Sequence, residues 1–144
     1  MDEQVKIWQR VRGETPPITD GLAGLTAGCL ARAALYGTLA RQLQGPGRSI
    51  LLQLQENEQR CVRCMKGIAR IAEGVPMNPG TVSLPSEKIE VALRKCYGRE
   101  MRCLAAYEAR SSHPEYGAVF GRLAEQEREH CMALLGIIGT IHNR

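Results

Sequence analysis

Two stretches of this chain have residue types and spacing suited to metal chemistry: Leu54-Gln55-Glu56-Asn57-Glu58-Gln59-Arg60-Cys61 and Leu123-Ala124-Glu125-Gln126-Glu127-Arg128-Glu129-His130. Superposed, they share a Leu and then Glu at the third and fifth places. Each then places a metal-capable side chain, Cys61 or His130, one helical turn after the last shared Glu. On a helix, positions i and i+3 share a face. Glu58 with Cys61, and Glu127 with His130, can therefore point together at one spot. Inward Glu-x-x-His pairs from facing helices are how bundles build two-metal carboxylate sites. The second stretch has that form, and the first has Cys in place of His.

The elements that must position these groups follow from pattern and punctuation. Residues 1–18 read as an N-terminal arm, with a brief amphipathic turn at Val5, Trp8 and Val11 ended by Gly13 and Pro16-Pro17. Residues 19–144 read as one domain. Thr19 or Asp20 can cap a first helix to about Leu43. Its Gly21, Gly24, Gly28 and Gly37 lower helix propensity by ~1 kcal/mol each against Ala but can admit a close neighbour; Gly24-x-x-x-Gly28 reads as close helix packing. Gly45-Pro46-Gly47 is a turn, and a second helix runs from about Gly47 to Glu73.

Residues 74 to 85 contain Pro76, Pro79 and Pro85 and are a linker. It reaches up to ~40 Å at ~3.3 Å per residue, about the length of the second helix. That suffices for a crossover down the whole bundle, making the second and third helices parallel. Ser86 starts a third helix to about Arg110, and Ser112 or His113 caps a fourth to about Ile141. All four are expected to exceed 20 residues at ~3.6 residues per turn, with no strand pattern anywhere. The fold class is all-α, a four-helix bundle.

The two halves repeat. Ala33-Ala34-Leu35-Tyr36 resembles Ala105-Ala106-Tyr107, and two turns before each Tyr lie Cys29 and Glu100. The spacings from Cys29 to Glu58 and from Glu100 to Glu127 are nearly equal, as in a duplicated helical hairpin. Six mid-helix positions emerge as candidate metal ligands: Cys29, Glu58, Cys61, Glu100, Glu127 and His130.

On these residues the chain resembles the ferritin-like superfamily, on its rubrerythrin-like side, over roughly residues 20–142. The family pattern is Glu, Glu-x-x-His, Glu, Glu-x-x-His along four helices. Glu58, Glu100, Glu127 and His130 match it, whereas Cys29 stands at a Glu position and Cys61 at a His position. The resemblance implies a ferritin-like bundle with a di-iron site that reacts with peroxide or oxygen. Glu58 and Glu127 would bridge, Glu100 would be terminal and His130 would cap one iron. The rubredoxin module with its paired Cys-x-x-Cys knuckles is absent, so an external electron donor is implied. A homodimer is implied by the family alone.

Thiols at two of six positions soften the site and suit Zn or a single iron as well as two irons. Cys29 and Cys61 are open between ligand and core filler. Cys64, Cys96, Cys103 and Cys131 read as small core hydrophobes. Cys61-x-x-Cys64 has the thioredoxin spelling but sits mid-helix without βαβ context. Glu56, Glu125 and Glu129 read as surface residues, and His142 as a fraying end. Tyr36 and Tyr107 read as core residues hydrogen-bonded to a carboxylate. Three core-facing Glu require positive charge beside them; with no core-facing Lys or Arg opposite, that charge would be a metal.

The bulk composition agrees. Apolar content is 44%, but aromatic content is only 4%, so the core is aliphatic and suits helix-on-helix packing. A net charge of +4, from 19 basic and 15 acidic residues without long like-charge runs, argues against a nucleic-acid surface. No run of ~18 continuous apolar residues suggests a membrane span. Six Cys without an apolar leader point to the cytoplasm and reduced thiols. Beside the iron oxidoreductase stand two alternatives: a redox-inactive structural or interaction bundle with one Zn or no metal, and a thiol-based metal or oxidant sensor.

Overall fold

A computed structural model describes residues 17–142. The proposed turn at Val5, Trp8 and Val11 lies outside the described residues. Four helices follow: α1 (Leu22–Ala40), α2 (Gly45–Glu73), α3 (Ile89–Arg110) and α4 (Gly117–His142). Among the described residues there is no strand. The closest packing is within two hairpins, α1 with α2 and α3 with α4.

Each helix buries a stripe at i, i+3, i+4, i+7 spacing. On α2 the stripe runs Leu51, Leu54, Glu58, Cys61, Val62, Met65, Ile68 and Ala69, with one carboxylate among apolar groups. The buried residues sort into two apolar clusters. One joins the start of α1 (Leu22) with the end of α2 (Met65, Ile68), the end of α3 (Tyr107) and the start of α4 (Phe120). The other joins Leu39, Leu51, Leu93 and Leu134 from the opposite ends. Helices α2 and α3 therefore run in the same direction, and residues 74–88 cross the length of the bundle. Fully burying a Leu side chain contributes about 1.5–3 kcal/mol, so these clusters hold the ends while a polar layer lies between them.

Boundaries differ from the sequence reading in ways the backbone explains. Thr19 does not cap α1; its hydroxyl donates to Glu73 Oε1 at 2.5 Å. Residues 18–21 form a turn, Gly21 takes φ 72, and α1 begins after it, with 19 residues rather than more than 20. Gly74 closes α2 at φ 75, its N–H bonded to Arg70 O at 2.8 Å. The strap stays extended through Lys88, so α3 starts at Ile89 rather than Ser86. Before α4, His113 Nδ1 accepts the N–H groups of Glu115 and Tyr116 at 3.1 and 3.2 Å, the capping role its position suggests.

Helix α1 has the length and composition of a membrane span, with mean hydropathy 1.2. Its buried face lies in the bundle core and carries Arg32. The close approach expected of its glycines occurs at Gly37, where a Cβ would collide with the Gln55 side chain of α2. Gln55 Nε2 uses that space to donate to Ala33 O at 2.9 Å. Gly24 and Gly28 meet no neighbouring helix; a Cβ at Gly28 would touch only Arg32 of the same helix.

Candidate metal centre

Four of the six sequence-derived positions converge in the polar layer. Glu58 of α2, Glu100 of α3, and Glu127 and His130 of α4 each offer a ligand atom, and those atoms lie within 4.8 Å of one another. The three carboxylates are fully enclosed and His130 is 2% exposed. His130 Nδ1 lies 3.7 Å from Glu58 Oε1, 3.7 Å from Glu100 Oε2 and 3.6 Å from Glu127 Oε1. These separations are too long for hydrogen bonds. Glu100 Oε2, both Glu127 oxygens and His130 Nδ1 are buried with no hydrogen-bond partner. Buried polar atoms are normally paired, so four such atoms, from three of the four clustered residues, mark a site that could hold an ion.

The donor set fits a metal ion. Ligands ~2.0–2.2 Å from a tetrahedral ion stand roughly 3.3–3.6 Å apart, close to the 3.6–3.7 Å from His130 Nδ1 to the three carboxylates, within a set that spans up to 4.8 Å. The other ring nitrogen of His130 contacts Asn57 Nδ2 at 3.1 Å, and Asn57 Oδ1 accepts from Gln53 Nε2 at 3.0 Å. A half-turn of the Asn57 amide, with the Gln53 amide turning to match, presents Oδ1 to an Nε2–H and leaves the Nδ1 lone pair free to bind metal. Tyr36 Oη donates to Glu100 Oε1 at 2.8 Å, fixing that carboxylate from α1 as the sequence suggested.

The sequence reading missed Arg32. It is 5% exposed, and its Nε lies 2.9 Å from Glu100 Oε1 and its Nη2 3.4 Å from Glu58 Oε2. The premise that no core-facing cation opposes the carboxylates is thus overturned. The signal was present: Arg32 lies on the α1 stripe with Cys29, Ala33 and Tyr36, all buried. An Arg on a buried stripe one turn from a proposed ligand is a core cation, not a surface charge.

Protonation follows from this company. Burial opposes the charge of Arg32, but Glu58 and Glu100 outweigh it and hold the guanidinium protonated. Burial and the Glu100 charge push Glu58 up to about 7. Burial would raise Glu100 too, but Glu58, Glu127, His130 and Arg32 around it hold it well below the usual carboxylate range. Burial and Glu100 drive Glu127 far upward, so without a cation it keeps its proton. Burial opposes a charged His130, yet Glu100 and Glu58 raise it to about 9.

The two thiol candidates lie outside the four-group cluster. Cys29 Sγ accepts from Arg32 Nη2 at 3.3 Å and lies 3.5 Å from Tyr107 Oη, so Tyr107 meets a thiol rather than the expected carboxylate. Cys61 donates to Gln126 Oε1 at 3.3 Å, and burial raises its thiol. The cluster is therefore harder than six mixed positions suggested: three carboxylates and one imidazole. Glu56, Glu125 and Glu129 are exposed, as expected. Cys96, Cys103 and Cys131 are buried and Cys64 is half-buried, and all six thiols are free.

No protein-family model, curated protein or solved structure matches this chain.

Proposed function

We propose that the bundle binds one divalent first-row metal ion, iron foremost, between Glu58, Glu100, Glu127 and His130, and serves as a rubrerythrin-like oxidoreductase acting on peroxide or oxygen. The observation that supports this is four buried ligand residues whose atoms lie within 4.8 Å of one another, with Glu100 Oε2, both Glu127 oxygens and His130 Nδ1 unpartnered. Charge sets the number of ions. With both thiols beside Arg32 protonated, three carboxylates against Arg32 leave two negative charges, which one divalent ion beside a neutral His130 balances. Two divalent ions would overcharge a dry core, where unpaired charge is costly. Arg32 thus stands in for the second cation of a two-metal site.

The bound metal would supply Lewis-acid and one-electron chemistry toward a small oxidant. The chain's own residues do the rest. Tyr36 and Arg32 orient Glu100, Asn57 sets the His130 tautomer, and the two apolar clusters exclude bulk water. Electrons would come from an external donor. A reducing compartment such as the cytoplasm suits six free thiols, and pairing of two chains follows the family resemblance.

A second reading, a redox-inactive bundle with one Zn or no metal in a structural or interaction role, is favoured by the same Arg32. With His130 protonated and Glu127 neutral, the layer balances without any ion. Anaerobic titration with Fe(II), then peroxide, separates the two. The oxidoreductase reading expects one Fe(II) per chain and iron-dependent peroxide consumption, beyond one equivalent per chain, that His130→Ala and Glu127→Ala abolish. Tight Zn(II) binding with no peroxide turnover of the iron form, or no binding of either ion, would overturn it.

A further inference from the structure

Beside the metal layer lies a second reactive group that the proposed function does not use. Arg32 Nη2 donates to two sulfurs, Cys29 of α1 and Cys103 of α3, each at 3.3 Å. Both sulfurs thus sit against one guanidinium nitrogen, and each thiol shifts the proton affinity of the other. Tyr107 Oη lies beside the pair, 3.5 Å from Cys29 Sγ. Cys103 also lines a cavity of about 390 Å³ between the start of α1, the strap and α3. Gly24 and Gly28 leave its α1 wall bare, Val82 of the strap forms another side, and Arg99 and Arg102 make it basic.

From this geometry we infer that Cys29 and Cys103 are a redox-active dithiol: Cys103 attacks a small hydroperoxide entering this cavity, and Cys29 resolves the product to a disulfide joining α1 to α3. The Cys103 sulfur attacks the terminal peroxide oxygen. An S–O bond forms, the O–O bond breaks, and the leaving alkoxide or hydroxide takes from solvent the proton that Cys103 released on ionising, departing as an alcohol or water. The Cys29 sulfur then attacks the sulfenic sulfur. An S–S bond forms, the S–O bond breaks, and the departing hydroxide takes the Cys29 proton as water. Two electrons pass from two thiols to the peroxide, and a small dithiol restores the pair by exchange.

The surroundings assign the roles. The thiolate is the nucleophile. The neighbouring Cys29 thiol, against the opposing effect of burial, together with the Arg32 charge lowers Cys103 to about 6. The neighbouring Cys103 and burial push Cys29 upward, as suits a resolving thiol that attacks second. Cys29 is wholly enclosed, whereas Cys103 meets the cavity. No step needs the metal, so this inference stands apart from the function proposed above.

The test treats the full chain, as purified and after chelation, with one equivalent of hydrogen peroxide. Free thiols are counted and peptides mapped without reduction. The expected result is loss of two thiols per chain with or without chelation, a Cys29–Cys103 linked peptide, and recovery with dithiothreitol. Cys103→Ser should slow thiol loss by at least about tenfold. Cys29→Ser should accumulate a sulfenic acid that dimedone traps, and Cys64→Ser should behave as the natural chain. Retention of all six thiols, or a disulfide mapped to Cys61–Cys64, would overturn the proposal. The mapping uses the natural chain, so it stands whether or not a variant folds.

Discussion

At the scale of single residues, Arg32 is the hinge of the account. It binds Glu58, Glu100, Cys29 and Cys103 at once. Removing one partner of a buried ion pair leaves the other uncompensated and costs about 3–5 kcal/mol. Arg32→Met should therefore destabilise the chelated protein by that amount in denaturant titrations near pH 8, and by somewhat less at pH 5, where Glu58 is protonated but Glu100, the closer partner, stays ionised. An equal loss at both pH values would contradict the pairing. Asn57 is the second test. Asn57→Leu removes the group that fixes the His130 ring and should weaken metal binding by roughly 10–100-fold without unfolding the chain, as read by calorimetric titration with Fe(II).

The pH dependence has a definite sign. Glu58 in the folded chain is raised to about 7 and Glu127 further still. The native state then binds protons that the unfolded chain releases, so stability falls as pH rises above the ordinary carboxylate range. His130, raised to about 9, adds stability that is fully present below its ordinary value and lost only as pH rises beyond it. Cys103, lowered to about 6, works in the opposite sense above that pH. The decisive window is thus about pH 5 to 6.5, where chelated protein should lose stability with rising pH. A flat or rising curve would contradict these protonation states. Metal loading should reverse the slope, because ligands must shed protons to bind.

At the scale of elements, much was legible in the sequence. The stripes of α2 and α4, the Gly74 stop and the proline-rich strap specified helices and connection, because periodicity and punctuation are local signals. The ends of α1 and α3 were not legible, because Thr19 is taken up by Glu73 across the fold and the strap stays extended through Lys88. The glycines of α1 looked equivalent, yet only Gly37 meets a neighbouring helix. Gly37→Leu must displace Gln55 and should cost about 1–3 kcal/mol, seen as a lower Tm, whereas Gly24→Ala, which meets open space, should be neutral or gain up to ~1 kcal/mol. Equal effects at the two positions would refute the packing described. For the strap, deleting residues 76–82 leaves a reach of at most roughly 28 Å, short of the ~33 Å length of α3. That deletion should abolish cooperative unfolding.

At the scale of the whole molecule, two apolar clusters bracket one polar layer, and that layer holds both the carboxylate–imidazole cluster and the thiol pair. Which carboxylates converge was readable from the repeat, since duplication aligns Glu58 with Glu127. That Arg32 joins them was not, because a repeat highlights what two halves share and Arg32 has no counterpart: Cys103 holds the matching place three residues after Glu100. The same asymmetry separates Cys29 from the cluster and turns it toward Cys103. The central claim is that four buried groups hold a single divalent ion. Elemental analysis of protein purified without chelator tests it most directly. The expected result is one transition-metal ion per chain, lost in His130→Ala and Glu127→Ala; two ions per chain, or none after Fe(II) and Zn(II) loading, would contradict a single-ion site.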